Sequence, residues 1–237
     1  MKNLDFRTRD SFDKYIDKHF VKELGLGGTS RCVLLDTDVA AKIYNSRQCE
    51  KDVLEFKDVY IPSFQFARAV ARIKGNVYAS FAEPASGKDL RDRWDYLNND
   101  MVMVGNQLDV LARDILTLTE LGIQAEDFFV GNIVYDNEKF TVIDTRAYFH
   151  SNEEDLKNEN FDEIMKDIYN RFLSRLFYEN RAMYGYKYSL HKAYLETPGE
   201  YFKELRDYIR MITDTEVVTF NEASIALERI KKRDDIY

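Results

Sequence analysis

The sequence predicts an α+β chain organised as two lobes. Strand-like apolar runs separated by turn residues dominate residues 1–85. Helical periodicity takes over past Gly87, and a single late hairpin interrupts it. The N-terminal lobe (1–85) is expected to be an antiparallel sheet with one helix, and the C-terminal lobe (86–237) to be mostly helical. A chain of 237 residues has room for two small lobes sharing a cleft. Its 45% hydrophobic content excludes disorder as a global description.

Residues 1–20 read as a charged, aromatic-dotted helical lead-in. From Val21 to Tyr44 the pattern is strand-like, with a glycine-rich turn at Gly25–Gly28 and apolar runs at Cys32–Leu35 and Val39–Tyr44. Asp36-Thr37-Asp38 between those runs is a hairpin turn signal. Residues 46–58 read as a helix with Val53 and Phe56 on one side. Another strand pair is expected at Ala67–Ile73 and Val77–Ala82, turned by Lys74-Gly75-Asn76. Val104, Leu108, Leu111, Ile115 and Leu118 form the stripe of a buried helix, which Gly122 ends. Ile133–Tyr135 and Phe140–Ile143 flank a short turn and read as a hairpin. Ile164, Ile168, Phe172 and Leu176 share a helical face beyond it.

Charge and cysteine usage narrow the function classes. The formal net charge of −8, with no concentrated basic patch, argues against a nucleic-acid partner. Lys231-Lys232-Arg233 is the nearest approach, but it adjoins Asp234 and Asp235 and reads as a solvated helix end. Cys32 and Cys49 are too few for a disulfide framework and lack metal-ligand spacing, which fits a reducing compartment. No apolar stretch approaches the roughly 20 residues of a membrane span, and Met1–Asp5 does not read as a signal peptide.

The candidate chemistry lies in three places. Gly25, Gly27 and Gly28 form a turn between strands, where glycine lets backbone amides approach a polyanion. Lys42 closes the apolar strand Val39-Ala40-Ala41-Lys42, where its amine can neutralise phosphate oxygens. Such a lysine needs a carboxylate, and Glu50 or Glu55 on the next helix can supply it; Glu50 is the better placed, because Val53 and Leu54 follow it. Asp127 and Asn132 stand on a loop after the buried helix, and the hairpin then delivers Asp144. Together they offer two carboxylates and a carboxamide, hard oxygen ligands suited to Mg²⁺. Each group alone has a plainer reading as a flexible turn, a snorkelling lysine or a loop cap. Their combination in one chain order is the signal.

That order resembles the protein-kinase-like fold over nearly the whole chain. Gly25, Gly27 and Gly28 resemble its glycine-rich loop, and Val39-Ala40-Ala41-Lys42 its Val-Ala-Ile-Lys strand. Asp127 and Asn132 match the Asp-x-x-x-x-Asn catalytic loop, and Asp144 stands where the Asp of Asp-Phe-Gly stands. The resemblance implies ATP and Mg²⁺ as cofactors. Lys42 would meet the α- and β-phosphates and Glu50, Asn132 and Asp144 would hold Mg²⁺, and Asp127 would take the proton of the acceptor hydroxyl. Phe81–Gly87 resembles the hinge that carries adenine, which makes Ala82 a small gatekeeper; Ala40, Glu83 and Ala85 are the further cofactor-binding residues that the resemblance implies. Asp167-Ile168-Tyr169 matches the helix that anchors the catalytic loop.

Several family features are missing. Ala125 replaces the histidine before the catalytic Asp, and Phe129 stands where a basic residue usually approaches the γ-phosphate. Ser30 replaces the third glycine, and Thr145-Arg146 replaces Phe-Gly. No Ala-Pro-Glu or long activation segment is present, which argues against switching by loop phosphorylation. The Ile-Asp-x-Arg ending and short C-terminal lobe are similar to small bacterial effector kinases of the OspG type. The reading is therefore an atypical bacterial Ser/Thr-type protein kinase, expected to be monomeric, with a protein acceptor. It would act in the cytoplasm, or in a host cytosol if delivered as an effector. The alternatives are a pseudokinase that binds nucleotide or partners, and a small-molecule phosphotransferase of the aminoglycoside or choline kinase type.

Overall fold

The computed structural model describes residues 1–90, 101–136, 138–157, 159–160, 163–164 and 225. The chain divides into two units, Met1–Ser86 with Thr141–Ala147, and Gly87–Phe140 with Tyr148–Tyr237. The class is α+β.

In the first unit, β1 (Leu4–Phe6) leads into α1 (Arg9–His19), followed by β2 (Phe20–Leu26), β3 (Ser30–Leu35) and β4 (Val39–Gln48). A short α2 (Glu50–Leu54), then β5 (Ala69–Ile73) and β6 (Asn76–Ala82) complete it. The helix α1 starts at a reciprocal cap. The Ser11 amide donates to Thr8 Oγ1 at 3.2 Å, and the Thr8 amide donates to Ser11 Oγ at 3.3 Å. Asp10 in the first turn and Lys18 and His19 in the last complement the helix dipole.

The sheet runs in the order β1-β5-β6-β4-β3-β2. It is mixed rather than wholly antiparallel, because β1 pairs with β5 in parallel, Leu4 opposite Ala71. The lead-in thus contributes a strand as well as a helix. The hairpins form where turn chemistry predicts them. Lys74 and Gly75 both adopt positive φ between β5 and β6, the signature of a tight two-residue turn, and Asp38 does so between β3 and β4. The expected helix over 46–58 shrinks to α2, because β4 continues to Gln48, which pairs with Val77.

Side-chain alternation gives this sheet two covered faces. On one, Phe12 and Ile16 of α1 pack on Val33, Leu35, Ala41, Ile43, Ala69, Ala71 and Phe81. On the other, Val53 and Leu54 of α2 pack with Tyr44, Val70 and Val77.

The second unit contains β7 (Lys88–Asp89), α3 (Met101–Glu120), β8 (Ile123–Gln124), β9 (Ile133–Tyr135) and β11 (Phe149–His150). The strand β10 (Phe140–Val142) follows β9 across the expected hairpin turn and carries the chain from the second unit into the first. Leu108, Leu111, Ile115 and Leu118 are all fully buried, as their spacing predicts; the side chain of Val104 lies outside the described residues. β7 pairs with β9, and β8 with β11. Gly87 is required where it stands. Its φ is +102°, and an added Cβ would lie 2.2 Å from the Tyr135 carbonyl oxygen. Ile164 is buried, while Ile168, Phe172, Leu176 and the Lys231–Arg233 run lie outside the described residues. Among the described residues, no helix is long and apolar enough to cross a membrane.

Phe12 is fully buried and meets Phe6 edge-on at 5.4 Å. Phe12→Ala should therefore cost about 3–5 kcal/mol, read as a lowered denaturation midpoint; an unchanged midpoint would contradict this packing.

Candidate functional site

The alternation of β4 decides where Lys42 points. Ala41 and Ile43 face α1, so Lys42 and Tyr44 face the other way. Tyr44 is buried, and its hydroxyl shares a 2.8 Å hydrogen bond with Ser80 of β6. Burial pushes the Tyr44 phenol above its ordinary pKa, so it stays a neutral ring. The Lys42 ammonium sits 6.0 Å from the centroid of that ring.

The counter-charge of Lys42 is Asp144, 102 residues further along the chain. The lysine side chain is 17% exposed and the aspartate side chain 41% exposed. With the aspartate open to solvent, the pair contributes on the order of 1 kcal/mol or less to stability. Its interest lies in placing an amine and a partly open carboxylate side by side.

A short segment of the first unit holds Asp144 there. The Val142 amide donates to the Ser63 carbonyl at 2.7 Å, and the Gln65 amide donates to the Val142 carbonyl at 2.9 Å. Thr145 Oγ1 then donates to the Gln65 carbonyl at 3.0 Å. Asp144 itself adopts φ +62°, in the left-handed region. Among the described residues, four non-glycines do so: Asp38 and Lys74 in hairpin turns, and Asp127 and Asp144 at candidate functional positions. Such conformations cost energy and persist where surrounding bonds impose them.

The glycine turn joins β2 to β3, with the Gly27 amide donating to the Ser30 carbonyl at 2.8 Å. Asn45 pins the turn from β4: its amide reaches the Thr29 carbonyl at 3.0 Å, and Nδ2 reaches the Gly28 carbonyl at 3.3 Å. A Cβ at Gly25 or Gly28 would meet nothing within 4 Å, and neither residue has positive φ. The fold itself therefore makes no demand for glycine at these two places. Ala40 pairs with Ala82 at the end of β6. Glu83 and Ala85 follow outside any strand or helix, and the Glu83 carbonyl accepts a hydrogen bond from the Gln65 side-chain amide. That leaves one lone pair of the carbonyl oxygen for another donor.

Glu50 does not meet Lys42. Both its carboxylate oxygens take the Arg72 guanidinium, a charge-assisted fork that holds the Glu50 carboxyl below its ordinary pKa. The physical reason is the shortness of α2, whose first residue is Glu50, and its packing beside β5, which carries Arg72. Glu55 is exposed at the C-terminal end of α2 and makes no ion pair among the described residues.

In the second unit, Asp127 is exposed on the loop after β8, and Asn132 ends a 3₁₀ turn, Val130–Asn132. The Asn132 amide donates to the Phe129 carbonyl at 2.6 Å. The loop is anchored by Asn160, which is fully buried. Asn160 Oδ1 accepts from the Ala125 amide at 2.7 Å, and Nδ2 donates to the Ile123 carbonyl at 2.7 Å and to Thr119 Oγ1 at 3.1 Å. Glu163 accepts from the Phe128 amide at 3.0 Å. Asn160 and Glu163 thus grip the chain on both sides of Asp127. Asp167, the anchor expected from sequence, lies outside the described residues.

Among the described residues, no three His, Cys, Asp or Glu side chains cluster as a cation cage. Mg²⁺ commonly takes one or two carboxylates together with phosphate oxygens and water, and Asp144, with one oxygen on Lys42 and substantial exposure, fits that donor pattern. Beside this pair lies Cys32, opposite Lys42 on β3. Burial raises its thiol pKa, and so it is an unreactive neighbour. No protein-family model matches the sequence, and no curated protein matches it.

Gln65 and Asn160 carried no sequence signal, being an isolated glutamine and asparagine without a motif. Asn160→Ala would strand the buried Ala125 amide and Ile123 carbonyl. A loss of about 1–3 kcal/mol is expected, together with faster hydrogen exchange at the Ala125 amide; unchanged exchange there would refute the anchoring role.

Proposed function

We propose that the chain binds ATP with Mg²⁺ and transfers a phosphoryl group to a protein hydroxyl, as an atypical Ser/Thr-type protein kinase. The observation that carries this reading is the pairing of Lys42 with Asp144, two residues singled out by motif and far apart in sequence. Gly25 and Gly28 support it, since open space around them suits a backbone that meets a ligand rather than its own fold.

In this reading the Lys42 amine neutralises non-bridging phosphate oxygens, using the position that Tyr44 and Asp144 fix for it. Asp144 and Asn132 would hold Mg²⁺, which supplies charge neutralisation to the phosphates when bound. Asp127 accepts the proton of the attacking hydroxyl and orients its oxygen. Asn160 and Glu163 keep its loop in one conformation. The backbone of Glu83–Ala85 receives the base edge. Phosphoryl transfer asks mostly for positioning and electrostatics, and these residue types are suited to both.

A second reading is nucleotide binding without transfer. It is favoured by the commitment of Glu50 to Arg72, which leaves Lys42 without the helix carboxylate of the family pattern. The absence of a basic residue at Phe129 points the same way.

A thermal-shift titration with ATP and Mg²⁺ should stabilise the wild-type chain by about 2.7 kcal/mol at 100 times Kd. Lys42→Ala should lose most of that shift, and an unaltered titration curve would remove Lys42 from the site. Asp127→Ala should bind ATP normally and show no transfer of labelled phosphate to a protein acceptor. A wild-type chain that shifts but never transfers would select the second reading.

A further inference from the structure

The geometry points to Arg146 as the second cation of the polyphosphate subsite, beside Lys42. This assignment rests on the nucleotide reading above and adds a residue and a charge to it.

Arg146 follows Asp144 by two positions in the segment that Ser63 and Gln65 hold to the first unit. Its guanidinium carbon lies 5.9 Å from the centroid of Tyr44, the ring that also carries the Lys42 ammonium at 6.0 Å. One rigid aromatic, fixed by burial and by Ser80, therefore positions both cations. Their electrostatic situations differ. The charge of Lys42 is balanced by Asp144, whereas the hydrogen-bond partner of Arg146 among the described residues is neutral, the Gln48 side-chain oxygen at 3.0 Å.

A guanidinium has five N–H donors in a planar fork, and this bond uses one. The residue is exposed. Lys42, Asp144 and Arg146 together carry a net positive charge, a set suited to an anion rather than to a second cation alone. Arginine matches the tetrahedral oxygens of phosphate in a paired, directional way that a second lysine would not. The orientation of Arg146 is also built in. Gln48 terminates β4, the strand that carries Lys42, so one strand positions both cationic groups.

The test is calorimetric titration of the full chain, in the presence of Mg²⁺, with ATP, inorganic tripolyphosphate and adenosine. It compares wild type with Arg146→Gln and Arg146→Lys, after confirming equal melting temperatures without ligand. Arg146→Gln should weaken ATP and tripolyphosphate at least tenfold and leave adenosine unchanged, and Arg146→Lys should recover part of the loss. Equal affinity of wild type and Arg146→Gln for whichever polyphosphate binds would overturn the assignment while leaving the nucleotide reading standing. Binding of tripolyphosphate with no gain from the adenosine portion of ATP would instead sink the nucleotide reading, with Arg146 judged on tripolyphosphate alone. If neither polyphosphate binds the wild-type chain, both fall.

Discussion

A lysine on a largely covered sheet face must find a counter-charge, and much of the first unit is arranged around that need. Packing fixes which face Lys42 occupies, because Ala41 and Ile43 on either side of it are committed to the α1 core. The amine is then mostly shielded, over a tyrosine that burial keeps neutral. The carboxylate that meets it arrives on a segment remote in sequence, held by backbone bonds to Ser63 and Gln65. Removing solvent around a charge is costly. The pair therefore reflects a geometric requirement met by the rest of the unit, and its own contribution to stability is small.

The two faces of the six-stranded sheet divide the work. The α1 face is a dry hydrophobic layer that supplies stability. The α2 face mixes Val53, Val70 and Val77 with Tyr44, Ser80 and Lys42. Polar groups are tolerated there because each has a partner: Tyr44 with Ser80, Lys42 with Asp144, and Arg146 with Gln48. Gln65 links this arrangement to the segment at Glu83 that follows β6 and to the strand that precedes Asp144. Its neutral side-chain amide donates to Glu83 without adding charge beside an ion pair, while its backbone makes the bonds with Val142 and Thr145.

The second unit achieves a similar result by other means. Its candidate base, Asp127, sits in a left-handed conformation on a loop too irregular to satisfy its own backbone. Buried Asn160 completes that bonding, and Glu163 adds a carboxylate on the other side of Asp127. Ala125 is itself buried, and its backbone amide is the group that Asn160 accepts from.

Periodicity and turn chemistry alone determined most of the first-unit strands, the buried stripe of α3 and the β9–β10 hairpin. Those signals are local, and nearby residues suffice to produce them. The sequence also nominated Lys42, Asp144, Asp127 and Asn132 through their order along the chain. It could not show that β1 joins the sheet, because three residues paired in parallel to a distant strand carry no local signature. Nor could it assign the partner of Glu50, which depends on how α2 packs beside β5 and its Arg72. Gln65, Asn160 and the two cations on Tyr44 were decided by tertiary structure alone. Each acts through hydrogen bonds or ring contacts between segments distant in sequence, and such long-range pairings leave no periodic trace in the chain.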